Sequence, residues 1–390
     1  MIYLDNQATT RVDPRVIEVL LPMLTESFAN AGSITHADGR QVALMVAEAI
    51  DSIAGHLGAS SDEIVITSGA TESNNLALIG YATHPRQSRR KIISCVTEHR
   101  AVLDPLKRLE QAGFEVTLLP VRDHTQPGAG MIDLDQLAEA IDEKTCLVSL
   151  MLGNNEIGTL QALAEIVALC RRYEVMLHTD ATQAVGKTRV NVGELDVDLL
   201  SFSAHKFYGP KGVGGLYVRR SPRRVRLQAQ IVGGGQQDNR RSGTLNSPGI
   251  VAMATALRLC SELAQEERPR IAALRNRLFK QLQIGIPGLT LNGPPLEDPH
   301  KRLGGNLNCS FMPVEGQSLM MAVPELAVSS GSACTSTEPR PSHVLRAIGL
   351  SDEQARSSLR FGIGRFTTTA EVDEASAALV SAHQALRKLI

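Results

Sequence analysis

Leu199-Leu200-Ser201-Phe202-Ser203-Ala204-His205-Lys206-Phe207-Tyr208-Gly209-Pro210-Lys211-Gly212 is the stretch on which the fold turns. Its first five residues form a short, nearly apolar run of the length of a buried strand. The run stops on Ser-Ala-His-Lys and a Gly/Pro-rich turn. A lysine placed where a buried strand meets a polar loop can be stripped of water, which lowers its pKa toward nucleophilic use. Taken alone, Lys206 would read as a surface lysine. It is not alone.

Similar apolar runs lie on both sides, at 63–67, 91–96, 145–151 and 175–178, with one more at 212–219. Helical periodicity separates them over 41–57, 73–82, 104–112 and 161–173. Short buried strands alternating with helices predict a mostly parallel sheet covered on both faces. After Gly233-Gly234-Gly235 the alternation stops. A long helical stretch at 249–282, short strands near 306–311, 325–328 and 359–363, and a closing helix near 370–388 predict a smaller α+β unit. The expected organisation is α/β: a large domain at 15–255, and a small domain made of 1–14 and 256–390. A loop at about 329–342 belongs to the small domain.

The strand ends carry the chemistry. His178-Thr179-Asp180-Ala181-Thr182-Gln183 sets a carboxylate where open α/β sheets bind ligands. Thr67-Ser68-Gly69-Ala70-Thr71-Glu72-Ser73 leads small residues into a helix, whose free N–H groups suit a phosphate. Thr97-Glu98-His99 and Asn154-Asn155-Glu156 close two more strands. Five polar clusters at successive strand ends look like one active-site rim. Cys334, in Ser329-Ser330-Gly331-Ser332-Ala333-Cys334-Thr335-Ser336, stands among small polar residues in a predicted exposed loop. The other five cysteines fall in apolar patterns and read as inert core residues.

Composition narrows the classes. The chain has 390 residues, 43% hydrophobic, with 40 Lys and Arg against 41 Asp and Glu. So balanced a charge gives no overall field toward nucleic acid or anionic lipid. With no tryptophan, five tyrosines and eight phenylalanines, platforms for stacking single strands are scarce. A basic cluster of Arg219, Arg220, Arg223, Arg224 and Arg226 reads either as a solvated edge or as a docking patch for an acidic partner. Six unclustered cysteines make no disulfide framework or zinc motif. No apolar run reaches bilayer length, and the first residues lack a signal-peptide pattern, so a cytoplasmic location is expected.

These segments, with Tyr3-Leu4-Asp5-Asn6-Gln7-Ala8-Thr9-Thr10, Arg241-Ser242-Gly243-Thr244 and Arg360-Phe361, resemble the NifS/IscS-like cysteine desulfurases. That family belongs to the class V aminotransferases, pyridoxal-phosphate enzymes of fold type I. The resemblance implies a large domain with a mostly parallel seven-stranded sheet, pyridoxal 5'-phosphate as cofactor, and conversion of L-cysteine to L-alanine with sulfur passing to Cys334 as a persulfide. It implies that Lys206 carries the cofactor as a Schiff base and moves protons, that Asp180 pairs with the pyridine nitrogen, that His99 stacks on the ring, and that Gln183 bonds its phenolic oxygen. Ala70, Thr71, Ser203 and His205 would hold the phosphate, joined by Thr244 from the second subunit of a homodimer. Asn155 and Arg360 would bind the substrate carboxylate. Metal sites are not implied, except that Cys334 could itself ligate an iron–sulfur cluster. The sulfur acceptor would be an iron–sulfur scaffold or a thiolation enzyme, with no direct contact to nucleic acid or membrane. Selenocysteine lyase is the nearest alternative activity, although it leaves Cys334 unexplained. DNA phosphorothioation and tRNA thiolation are alternative destinations for the sulfur. Asn30-Ala31-Gly32-Ser33 and Gln236-Gln237-Asp238-Asn239 depart from the family pattern, as does Arg340 in the cysteine loop.

Overall fold

The structure, a computed structural model, describes residues 1–330 and 341–390. The first unit runs α1 (Pro14–Thr25), α2 (Ala37–Leu57), β2 (Ile64–Thr67), α3 (Ala70–Ala82), β3 (Lys91–Cys95), α4 (Arg100–Gln111) and β4 (Glu115–Leu119), after a short β1 (Ile2–Tyr3). It continues through α5 (Leu134–Ala140), β5 (Thr145–Ser149), α6 (Leu163–Arg172), β6 (Met176–Asp180), α7 (Val192–Leu195), β7 (Leu199–Ser203), β8 (Gly214–Val218) and α8 (Ser247–Glu262). The seven strands order as β2-β8-β7-β6-β5-β3-β4. All pairings are parallel except those of β8, which is antiparallel to both neighbours.

The expected strands are present with shifted ends. Residues 61–63 form a 3-10 turn, so β2 starts at Ile64. β6 extends two residues past the expected 178, which makes Asp180 its last residue. β4 escaped the reading because it is an edge strand: Glu115 and Leu118 are exposed, and no continuous apolar run marks it. The stretch expected as one helix at 249–282 is two, α8 and α9 (Ala264–Gly285). The break follows from what each helix buries. Ile250, Met253, Leu257 and Cys260 of α8 join the core under the large sheet, whereas Leu274, Leu278 and Leu282 of α9 join a second core.

That second core holds β9 (Thr290–Leu291), β10 (Asn306–Ser310), α10 (Gly316–Ala322), β11 (Leu326–Ala327), β12 (Ser329–Ser330), α11 (His343–Ala347), α12 (Asp352–Arg356), β13 (Ser358–Gly362) and α13 (Thr369–Arg387) around or beside it. Its antiparallel sheet orders β12-β13-β10-β9. The N-terminus belongs here too: Ile2 and Leu4 are buried in this core, and β1 pairs in parallel with β11. Arg365 ties the two units together. Its side chain reaches Asp13 at 2.8 Å and Glu267 at 2.7 Å, and its N–H donates to the Tyr208 hydroxyl at 2.7 Å.

Two features singled out in the sequence have structural explanations. Gln237 acts as a substitute strand on the open edge of β2: its Oε1 accepts the Ile66 N–H at 2.6 Å, and its Nε2 donates to the Ile66 carbonyl at 2.9 Å. In the basic cluster, Arg219 and Arg223 pair with Asp196 and Asp198, and Arg220 pairs with Asp62. Those three charges are therefore compensated within the chain. Among the described residues, no helix is long and apolar enough to cross a membrane.

Candidate active site

The strand ends do converge. Lys206 closes the 3-10 turn Ala204–Lys206 after β7. Its Nζ donates to the carbonyls of Gln7 and Ala8, both at 2.7 Å. Burial and the nearby Arg360 push its pKa down to about 8, against the opposing pull of Asp180 and Asp5. The N-terminal segment is pinned over this turn: Thr10 N–H and Oγ1 both donate to the His205 carbonyl at 2.9 Å, and Thr10 Oγ1 accepts the Tyr208 N–H at 2.7 Å. Tyr208 has φ of 68, a strained value for a bulky residue, and those bonds hold it there.

Asp180, on the neighbouring strand, is 7% exposed. Its Oδ1 accepts the Thr182 N–H at 2.9 Å, and its Oδ2 accepts from Asn74 Nδ2 at 2.8 Å. Asn74 lies on α3, 106 residues away, and was not picked out from the sequence as a partner. Gln183 donates through Nε2 to the Gln7 carbonyl at 2.9 Å and accepts at Oε1 from Lys187 Nζ at 2.8 Å.

His99 caps α4, its Nδ1 accepting the Ala101 N–H at 3.0 Å, which leaves the proton of the neutral ring on Nε2. Burial lowers its pKa. Glu98, beside it, is fully buried; its Oε1 accepts the Met151 N–H at 2.7 Å, and Oε2 has no partner. Burial, aided by Asp180, pushes Glu98 up to about 8.

The turn between β2 and α3 is a phosphate cradle in form. No side chain caps α3, and Gly69 opens it with φ of 149, a conformation that favours glycine. A Cβ at Gly69 would meet Ser203 Oγ at 3.5 Å, so Ser203 faces this helix end. Ala70 and Thr71 form its first turn. His205 stands by, its Nδ1 3.1 Å from Thr9 Oγ1, with burial and nearby lysines lowering its pKa to about 4. A largely neutral imidazole can serve a phosphate as a hydrogen-bond donor without the cost of burying a cation.

Arg360, in β13, already has a partner that sequence did not reveal. Its Nη2 reaches Asp5 Oδ1 and Ser329 Oγ, both at 2.9 Å; its Nη1 lies 3.4 Å from the Asn155 carbonyl, and its buried Nε has no partner among the described residues. Asn155 is half-buried beside it. Thr244 is exposed ahead of α8 and makes no hydrogen bond among the described residues. Cys334 lies outside the described residues. The chain on either side of them is anchored at the site: Ser329 pairs with Arg360 in the β12–β13 ladder, Ser342 Oγ donates to Glu156, and His343 Nε2 lies 3.0 Å from the Glu98 carbonyl. The other five cysteines are all buried. Burial pushes Cys146, Cys170 and Cys309 up to about 12 and Cys260 to about 11, so they are inert thiols. No group able to hold a metal ion occurs among the described residues.

A half-buried amine with its pKa lowered to about 8, a buried carboxylate on the next strand and an uncapped helix end meet the three demands of pyridoxal phosphate: covalent attachment, a partner for the ring nitrogen and a phosphate seat. Buried oxygens without partners on Asn74, Thr179 and Thr182 show polar capacity still open near Asp180. Fold and site together define the class of fold-type I pyridoxal-phosphate enzymes.

Comparison with known proteins makes this specific. The family model described as aminotransferase class-V matches residues 2–375. A cysteine desulfurase IscS of Histophilus somni is 49% identical over 390 residues, covering all of this chain and 94% of that protein. Among solved structures, a NifS-like protein superposes with a TM-score of 0.89 at 35% identity, covering 99% of both chains. The structure titled SspA in complex with cysteine gives 0.80 at 33% identity, over 94% of this chain and 100% of that one. The chain belongs to the aminotransferase class-V family, on its cysteine desulfurase branch, whose members depend on pyridoxal phosphate.

Proposed function

We propose that this chain desulfurates L-cysteine to L-alanine and passes the sulfur to an acceptor through a persulfide on Cys334. The observation that carries the reading is Lys206: a half-buried amine with a pKa of about 8, set one strand over from buried Asp180. The cysteine bound in a structure 33% identical supports the substrate.

When bound, pyridoxal phosphate supplies an electron sink for charge developing at the substrate Cα. The residues of the chain do the rest. Lys206 would hold the cofactor and would remove and return the substrate Cα proton. Asp180, fixed by Asn74 and the Thr182 N–H, keeps a proton on the pyridine nitrogen. His99 covers the ring and presents Nε2–H as a donor, and Gln183 offers its amide N–H to the phenolic oxygen. Ala70 and Thr71 at the start of α3, with Ser203 and His205, take the phosphate, and Thr244 of the partner protomer completes its seat. Arg360 and Asn155 hold the substrate carboxylate. Cys334, as a thiolate, attacks the substrate sulfur; the S–S bond forms as the Cβ–S bond breaks, and the carbon left behind is protonated to the methyl group of alanine.

The two cores support a large and a small domain, with the first 14 residues assigned to the small one and the division at the α8–α9 corner rather than at 255, because Leu257, Leu259 and Cys260 of α8 lie in the large core. A homodimer suits the exposed Leu21, Leu24, Phe28, Ile34 and Leu44 on α1, α2 and the segment between them, large apolar side chains that a partner subunit would cover. The acceptor is an iron–sulfur scaffold or a thiolation enzyme.

The test is one assay with L-cysteine and a reductant, quantifying alanine and sulfide together. Wild type should release them in equal amounts, and Cys334→Ala should release neither. Undiminished turnover by Cys334→Ala would make the enzyme a direct lyase.

A further inference from the structure

Lys187 has no role in the chemistry above, yet it is tied directly to it. It lies four residues beyond Gln183, half-buried, and its Nζ donates to Gln183 Oε1 at 2.8 Å. A lysine ammonium has donors and no acceptor, so as a cation Lys187 can meet only the amide oxygen, and Oε1 must face it. The amide nitrogen is thereby turned the other way, toward the Gln7 carbonyl at 2.9 Å. Lys206 Nζ donates to that same carbonyl at 2.7 Å. Lys187, Gln183, Gln7 and Lys206 therefore form one hydrogen-bonded chain, with two nitrogen donors meeting on one oxygen.

We propose that Lys187 is a positioning residue for Lys206: it locks the Gln183 amide with its nitrogen on the Gln7 carbonyl, the same oxygen that Lys206 meets, and adds a cation to the site, so that the lysine nitrogen gives up its proton more readily. The proposal rests on Lys206 being the cofactor lysine. Two effects act in one direction. With Lys187 removed, only the Gln7 carbonyl still orients the amide, and an amide turned away from it would present Oε1 as an acceptor that stabilises a protonated nitrogen. Loss of a neighbouring positive charge stabilises it further. The two amines sense each other: burial, then Lys206 and Arg360, push Lys187 down to about 7, with Cys260 opposing, and Lys187 also lowers His205.

The experiment is a pH titration of the visible absorption of the loaded enzyme, comparing wild type, Lys187→Met, Lys187→Gln and Lys187→Arg. Borohydride reduction and mass analysis of each protein show whether the cofactor sits on Lys206. Lys187→Met should move the midpoint up by about one pH unit, the scale of a lost like charge nearby. Lys187→Arg, which keeps a cation and a donor, should stay near wild type. Lys187→Gln can still donate to Oε1 without charge; it should shift upward by less, and it serves if the Met variant does not fold. Midpoints unchanged in both neutral variants would overturn the proposal. Wild-type enzyme with no cofactor trapped on Lys206 would instead overturn the reading beneath it, so the two failures are distinct.

Discussion

Replacing Arg360 by lysine tests how the site takes a substrate carboxylate. The side chain is held by Asp5 and Ser329 through Nη2 alone, leaving Nε without a partner and Nη1 only loosely engaged by the Asn155 carbonyl. The Nη1–Nη2 edge is the one that can grip a carboxylate at two points, once Nη2 gives up one of its present partners. Lysine keeps a charge that can still pair with Asp5, so the fold should survive, but it offers a single point of contact. Losing one hydrogen bond to a charged group costs about 1.5–3 kcal/mol. At about 1.4 kcal/mol per decade, that is roughly a ten- to hundredfold rise in KM for L-cysteine. Steady-state alanine formation across cysteine concentrations reads the KM, and the absorbance of the bound cofactor reports whether its seat is intact. A KM that stays at the wild-type value, with kcat lost instead, would show that Arg360 does not bind the substrate carboxylate.

Three further outcomes follow from the geometry. Lys206→Ala should retain no cofactor after borohydride treatment and desalting; retained cofactor would remove Lys206 from its role. Gln237→Ala should destabilise the chain by about 1–3 kcal/mol, because the N–H and carbonyl of Ile66, itself 4% exposed, lose their partners on the β2 edge; an unchanged denaturation midpoint would refute the edge-capping role. Glu98 keeps a proton in the folded chain up to about pH 8, whereas an unfolded glutamate loses it near about 4.3. Its contribution is therefore complete below about pH 4.3 and lost as the pH rises toward 8. The Tm of Glu98→Gln, which has no proton to lose, should fall less than that of wild type across this interval; parallel Tm curves would argue that Glu98 is ionised in the folded chain.

The predicted roles can be read from sequence where chemistry and local pattern coincide. An apolar run ending abruptly in Ser-Ala-His-Lys or His-Thr-Asp marks both a buried strand and the polar rim at its end, because the hydrophobic pattern that builds the sheet also places the next residues at its edge. The parallel sheet, Lys206 and Asp180 follow from such patterns. Only the tertiary structure shows what holds these groups. Asn74 meets Asp180 from 106 residues away, and Asp5 meets Arg360 from 355. Lys206 and Gln183 converge on the backbone carbonyl of Gln7, and a backbone carbonyl leaves no mark on residue type. The edge strand β4 and the corner between α8 and α9 are hidden because they too are settled by packing. Each depends on which surfaces meet after folding, and a local pattern records only which residues avoid water.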